Sequence, residues 1–188
     1  MLRRRRDPPP PERPPDPLAH VDPDEAPRRF AGSVATALDA RRRYAEIVGR
    51  TRPGPVRNRL AVLGARVDEG VAAVWATVMR AGDIEATLAD LDPERVTDEY
   101  KHAKRSGAAP ELVEVLSRRF TSVQRLLNTL DDTDERLRLL DARLGATVAR
   151  AAEVALSASD AGVDEVGAEL DDVVDDLTAL RSALDELR

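Results

Sequence analysis

Apolar residues along most of this chain recur at alternating spacings of three and four positions. The clearest run is at the C-terminal end and comprises Val163, Val166, Leu170, Val173, Leu177, Leu180, Leu184 and Leu187. A spacing near 3.5 residues places such side chains on one helix face that packs lengthwise against another helix. No segment shows the sustained alternation of a half-buried strand. The chain is therefore predicted to be all-α, with coiled-coil-like helices in an elongated helical bundle.

Prolines and capping residues divide the periodic region into five predicted helices. Asp92 followed by Pro93 provides an N-cap with proline at the first helical position, and Pro55 and Pro110 mark two more starts. Proline occurs nowhere inside the segments between these marks. The predicted helices span about residues 28–48, 55–91, 93–104, 110–157 and 160–187.

The fourth predicted helix contains an acidic run at 131–135 that allows two interpretations. A capping pattern within the run favours a break and a new helix start. Leu130 and Leu137 nevertheless stay in phase across it, one heptad apart, which favours a continuous helix. In that register Asp134 and Asp141 fall on the apolar seam, where a carboxylate needs a partner or water.

Residues 1–27 are predicted to form a disordered, extended tail rich in proline and arginine. Nine of the thirteen prolines lie here, mixed with arginine and acidic residues. Such a segment buries too little apolar surface to offset the entropy lost on ordering the chain. The all-α helical domain is therefore placed at residues 28–188.

Composition excludes most kinds of chemical site. The chain has no cysteine, so it has neither disulfides nor thiolate metal sites. Neither His20 nor His102 has a carboxylate at the Glu-x-x-His spacing of helical metal sites on an apolar-phased helix, since His102 lies in a polar run. There is no glycine-rich phosphate loop and no recognisable nucleophile motif. We therefore expect a non-enzymatic protein without catalytic residues, cofactor or metal.

The start of the chain and its apolar runs bear on localisation. The basic first residues are followed by proline and acid instead of the apolar core of a signal peptide. The longest apolar run, 71–79, is far shorter than the ~20 residues of a membrane helix. Arginine greatly outnumbers lysine, which is typical of GC-rich bacterial coding sequences. We expect a bacterial protein of the cytoplasm, at most peripheral to the membrane.

Charge is strongly segregated along the chain, although the formal net charge is only −6. Residues 160–186 carry ten acids and one arginine. The opposite charge lies in a basic corner, which comprises Arg41, Arg42, Arg43, Arg50, Arg52, Arg57, Arg59 and Arg66. One interpretation is internal: the acidic last helix docks beside the basic corner and selects the register of the helices. The other is external, with the basic corner contacting an anionic surface. The internal interpretation is favoured.

These features predict a helical adaptor or scaffold that binds a protein partner through coiled-coil-type helix packing. A monomer is favoured over a homodimer, because parallel copies of the last helix would set acids against acids. In architecture alone, the long helical hairpins resemble bacterial coiled-coil scaffolds of stress response and membrane remodelling.

The alternative function is a peripheral binder of an anionic surface. Its contact residues are Arg3, Arg4, Arg5 and Arg6, together with Arg41, Arg42, Arg43, Arg50, Arg52, Arg57 and Arg59. A membrane surface is favoured over nucleic acid, because base-stacking aromatics are nearly absent from the basic region.

Overall fold

The computed structural model describes residues 16–186, which form five α-helices and no β-strand. The helices are α1 Ala31–Arg50, α2 Pro55–Leu91, α3 Pro93–Arg105, α4 Pro110–Ser157 and α5 Asp160–Asp185. They occupy the five segments predicted from the hydrophobic period, with ends shifted by a few residues at most. The all-α prediction is confirmed for this part of the chain.

Polar caps start two of the helices after very short connections. The carboxylate of Asp92 accepts the backbone N–H of Arg95 at 3.1 Å, with Asp92 itself in the left-handed region at φ 51°. The hydroxyl of Ser159 accepts the N–H of Gly162 at 3.1 Å. Each cap satisfies one of the backbone donors left unpaired at a helix start.

α1, α2, α4 and α5 share one hydrophobic core. α2 contacts the other three, and α1 and α5 also contact α4. Short loops make α1 antiparallel to α2 and α4 antiparallel to α5. The largest fully buried side chains in the core include Phe30, Leu60, Leu137, Leu144, Leu170 and Leu177. Burying a leucine contributes roughly 1.5–3 kcal/mol, so the seams supply most of the stability.

The apolar seam of α5 is buried along its whole described length. Its members from Val163 to Leu184 are at most 4% exposed. α5 contacts α2 and α4 of the same chain, the arrangement that the internal interpretation of the charges predicts. Leu187, the last predicted seam residue, lies outside the described residues.

α4 is continuous through the acidic run, as the heptad phase predicted. Asp134 and Asp141 both lie toward the core, and their surroundings differ. The carboxylate of Asp134 accepts a hydrogen bond from Arg138 at 2.8 Å and has Arg29 of the N-terminal segment at 3.9 Å. Asp141 has one buried oxygen without a hydrogen-bond donor. The register was therefore predicted correctly, but not the partners.

Residues 16–27, the end of the predicted tail, are folded, and this corrects the tail boundary. Leu18, Val21 and Ala26 are buried against the core. A 3₁₀ turn spans Pro23–Glu25 and packs on α1. Three apolar residues suffice here because they add to an existing core instead of building one.

The same segment makes a close contact with α2. A Cβ atom on Gly82 would lie 2.4 Å from Cγ of Pro27, a distance that real Cβ atoms do not tolerate. Glycine at this position therefore lets the proline ring sit directly against the α2 backbone. Residues 1–15 of the predicted tail lie outside the described residues.

Candidate interaction surfaces

The acidic face of α5 meets α2 in a regular ladder of ion pairs. The three rungs are Arg59–Asp164, Arg66–Asp171 and Arg80–Asp185. Each aspartate lies 105 residues after its arginine, so the two helices run parallel in one register. Rungs separated by seven or fourteen residues are the flanking charge pairs expected beside a heptad seam.

A second set of ion pairs joins α5 to α4 on its other side. Arg143 pairs with Asp176. The guanidinium of Arg150 lies 2.9 Å from Glu165 and 3.0 Å from Glu169. The acids of α5 thus face arginines on both neighbouring helices, as the internal interpretation of the charge segregation requires.

Arg41 anchors the N-terminal segment to two helices. Its Nη atoms donate to both carboxylate oxygens of Asp16, at 2.8 and 3.0 Å, and its Nε donates to Asp68 of α2 at 2.6 Å. The hydrogen bonds from Arg41 and from the N–H of Leu18 lower the pKa of Asp16. Arg41 is therefore occupied inside the molecule.

Most of the remaining basic corner is paired within its own helix. Arg42 and Arg43 both pair with Asp39, and Arg50 lies 3.5 Å from Glu46. Arg52 and Arg57 have no carboxylate at ion-pairing distance within residues 16–186. The corner is thus mainly an internal structural element, with these two arginines left for contact outside. Arg3, Arg4, Arg5 and Arg6 lie outside the described residues.

The clearest uncovered surface is at the end of the molecule opposite the basic corner, where α4 extends beyond α5 and α1. Leu180, Ala183 and Leu184, near the end of α5, line a groove with Thr129–Leu139 of α4. Arg29, just before α1, reaches Asp131 at 2.6 Å. Residues 110–128 of α4 therefore extend roughly 28 Å beyond the end of α5 and the start of α1, at 1.5 Å per residue.

We call residues 110–122 of α4, together with α3, the arm. None of residues 110–122 is buried, although the apolar seam of α4 continues through them. Leu112 and Val115 are 50% and 55% exposed. Val123 is the first residue of α4 that is buried. The arm therefore presents a seam face without a covering helix among the described residues.

α3 steadies the arm from one side. Its Val96 and Ala103 are buried, and the ring of Tyr100 stacks on Phe120 with centroids 5.0 Å apart. Arg119 donates to Glu99 at 3.3 Å. α3 contacts α4 and α2 but neither α1 nor α5.

The last five residues of α3 carry a cluster of cations, Lys101, Lys104 and Arg105, which we call the tip cluster. All three residues are exposed. The ion pairs formed among residues 16–186 include none of them. Nε of Arg105 donates to the carbonyl of Lys101, and the ammonium of Lys104 lies 5.9 Å from the ring centre of Tyr100. Three cations within five residues are a weaker signal in the sequence than the longer arginine runs, so this cluster was not predicted.

Other features of the described residues give little sign of chemistry. Between the α1–α2 loop and the end of α4 lies an open cleft of about 770 Å³, lined by small apolar residues, Arg50, Arg52 and Asp160. Histidine and acidic side chains of residues 16–186 form no group arranged to hold a metal ion. Over the same residues, every helix is too short or too polar to cross a membrane.

Comparison with known proteins leaves the family open. No protein-family model matches the sequence, and no curated protein and no solved structure gave a significant match. The surfaces described above therefore carry the functional argument.

Proposed function

We propose that this chain is a non-enzymatic helical adaptor whose helices form an elongated bundle with coiled-coil-type packing. The heptad-spaced ladder between α2 and α5 supports this packing, because flanking charges at that spacing accompany a shared seam. The buried α5 seam gives further support. In this proposal α5 is structural, and it is unavailable to a partner.

The partner binds the arm, and the exposed seam residues carry this part of the proposal. Leu112 and Val115 continue the apolar period of α4 beyond the region where α5 and α1 cover it. A second helix laid along this face would bury both side chains, at roughly 25 cal/mol for each Å² of apolar surface removed from water. Helix-in-groove recognition uses apolar anchors at this spacing.

Charged residues near the exposed seam of the arm define the chemistry of the partner. Glu111 and Glu114 are exposed near the start of α4, and Arg118 and Arg125 are exposed about one and three turns after Glu114. A complementary partner is an amphipathic helix with aliphatic anchors, basic side chains at one end and acidic side chains at the other. Such charges select the partner and its direction more than they add affinity.

Site-specific photo-crosslinking in the native host tests this proposal. A benzophenone amino acid replaces Val115 in the full chain, and a matched probe replaces Val62, an exposed valine of α2. We expect one defined protein adduct from position 115 and none from position 62. Peptide mapping should place the adduct on an amphipathic helix with the stated charge pattern. Adding Leu112→Glu should abolish it.

Three outcomes contradict the adaptor proposal. They are equal adducts from both positions, adducts only between copies of this chain, and no adduct at position 115. The second outcome would replace the adaptor by a self-associating scaffold.

A further inference from the structure

We infer that the tip cluster is a contact point for an anionic phospholipid surface. This inference concerns the last five residues of α3, whereas the adaptor proposal concerns the exposed seam of α4, so either can fail alone. It also moves the anionic contact away from the basic corner, where most arginines have internal partners.

Cations without a carboxylate partner are concentrated in the tip cluster. Within residues 16–186, the lysines and arginines without a carboxylate partner are Arg28, Arg52, Arg57, Lys101, Lys104, Arg105, Arg125 and Arg136. Three of them fall within the last five residues of α3, and no other stretch of five residues holds so many. The helix dipole favours cations at a C-terminus, but it does not require three of them.

The tip cluster also has an exposed position in the fold. The short connection at residues 106–109 turns the chain back, so α3 lies antiparallel to the start of α4, with Glu99 beside Arg119 and Tyr100 beside Phe120. The tip cluster therefore lies at the outer end of the arm, beside the first turns of α4. A flat surface can approach this end without meeting the core helices.

The charges around the tip favour an approach to an anionic surface. Glu114 pairs with Arg118, Glu99 pairs with Arg95 and Arg119, and Asp98 and Glu111 are further acids near the cluster. The acids of α5 lie beyond residues 110–128 of α4, a stretch of roughly 28 Å, which is more than two screening lengths at physiological salt. An anionic surface therefore attracts the tip and repels the α5 end, which orients the molecule tip first.

The chemistry of the tip suits lipid better than nucleic acid. The nearby aromatic rings, Tyr100 and Phe120, stack on each other, so their shared faces are unavailable to a base. Long, flexible cations at a convex end match the diffuse negative charge of a bilayer surface, which needs no complementary shape. An acidic protein helix would require a groove, whereas the tip cations are exposed side chains on the end of a helix.

Vesicle co-sedimentation with the full-length protein tests the inference. The vesicles are phosphatidylcholine alone or with one-third phosphatidylglycerol, at low and at physiological ionic strength. The test variant combines Lys101→Glu, Lys104→Glu and Arg105→Glu. A control with the same change in net charge combines Arg52→Glu, Arg57→Glu and Arg136→Glu. Thermal melts of both variants establish that they fold.

Wild-type protein should bind only the anionic vesicles, and more weakly as salt rises. Removing one surface-bound cation lowers membrane binding about fivefold, so the tip variant should lose at least about 100-fold. The control should stay within a few-fold of wild type. Equal loss in both variants, or binding to phosphatidylcholine alone, would overturn the inference.

The remaining explanation is that the basic residues at the N-terminus bind the vesicles. A full-chain variant with Arg3, Arg4, Arg5 and Arg6 changed to glutamate tests it. If the tip cluster is the contact, this variant should keep most of the vesicle binding of the wild-type protein. Complete loss in it, with the tip variant unaffected, would assign the contact to the basic N-terminus and overturn the inference. Preferential binding of DNA over vesicles would do the same.

Discussion

Asp141 is the residue at which the seam of α4 is least well satisfied. One of its carboxylate oxygens is buried without a donor, and burial raises the pKa of Asp141 to about 6, with partial relief from the Ser33 hydroxyl. Asp134, one heptad earlier, has Arg138 and Arg29 nearby. The heptad pattern placed both on the seam. The neighbouring Arg138 was visible in the sequence as a partner four residues after Asp134, but Arg29 was not, because it approaches from a segment more than a hundred residues away.

Replacing Asp141 by asparagine should stabilise the protein at neutral pH. The folded-state pKa of about 6 exceeds the ordinary aspartate value near 3.9, so the folded protein binds this proton more tightly than the unfolded chain. Asp141 therefore costs stability above pH 6, and this cost disappears as the pH falls towards 4. We expect Asp141→Asn to raise the free energy of unfolding by about 1 kcal/mol at pH 7, allowing for screening at a partly exposed site.

Urea unfolding at pH 7 and at pH 4 measures this difference. The gain should vanish at the lower pH. Asp132→Asn, an exposed position on the same helix, is the control and should have no effect at either pH. Destabilisation by Asp141→Asn at pH 7 would mean that the charged carboxylate has a partner.

At the scale of helices, the α2–α5 ladder makes a prediction about register. Arg66→Glu should destabilise the protein, because it sets a new acid against Asp171. Adding Asp171→Arg should recover most of the loss by restoring an opposite pair. Exposed pairs of this kind are worth 0.2–1 kcal/mol each, so the coupling energy should be about that size.

A charge reversal at the residue next to Asp171 provides the control for this double-mutant cycle. Asp172 is exposed, adjacent to Asp171 and off the ladder. Arg66→Glu with Asp172→Arg should therefore recover little in urea unfolding. Equal recovery by both double variants would show that general charge balance, and not the register of the two helices, determines the effect.

The elements themselves were largely predictable, and their relations were not. Proline marks and the hydrophobic period located all five helices, and the phase of Leu130 and Leu137 predicted an unbroken α4. The fold of residues 16–27 was missed, because three apolar residues among many prolines look disordered until a core exists to receive them. The α2–α5 ladder could in principle be predicted, because arginines of α2 and aspartates of α5 recur at multiples of seven residues. Which arginine faces which aspartate, however, depends on how the loops place the two helices.

For the molecule as a whole, charge segregation combines internal order with an uncovered end. The acids of α5 face arginines of α2 and α4, whereas the tip cluster and the exposed seam lie on the arm. The sequence predicted the first of these features from its charge runs. It could not predict the arm, because helix periodicity does not reveal where a neighbouring helix ends.

Amide hydrogen exchange of the full-length protein alone tests the central claim most directly. The claim is that the seam of α5 is satisfied within the chain and that the arm is the uncovered part. Exchange protection follows local opening, so residues 163–184 should exchange as slowly as residues 133–154 of α4. Residues 110–122 should exchange at least about tenfold faster, a difference of about 1.4 kcal/mol. Exchange across α5 as fast as in residues 110–122 would contradict the account and make the C-terminal helix the partner-seeking element.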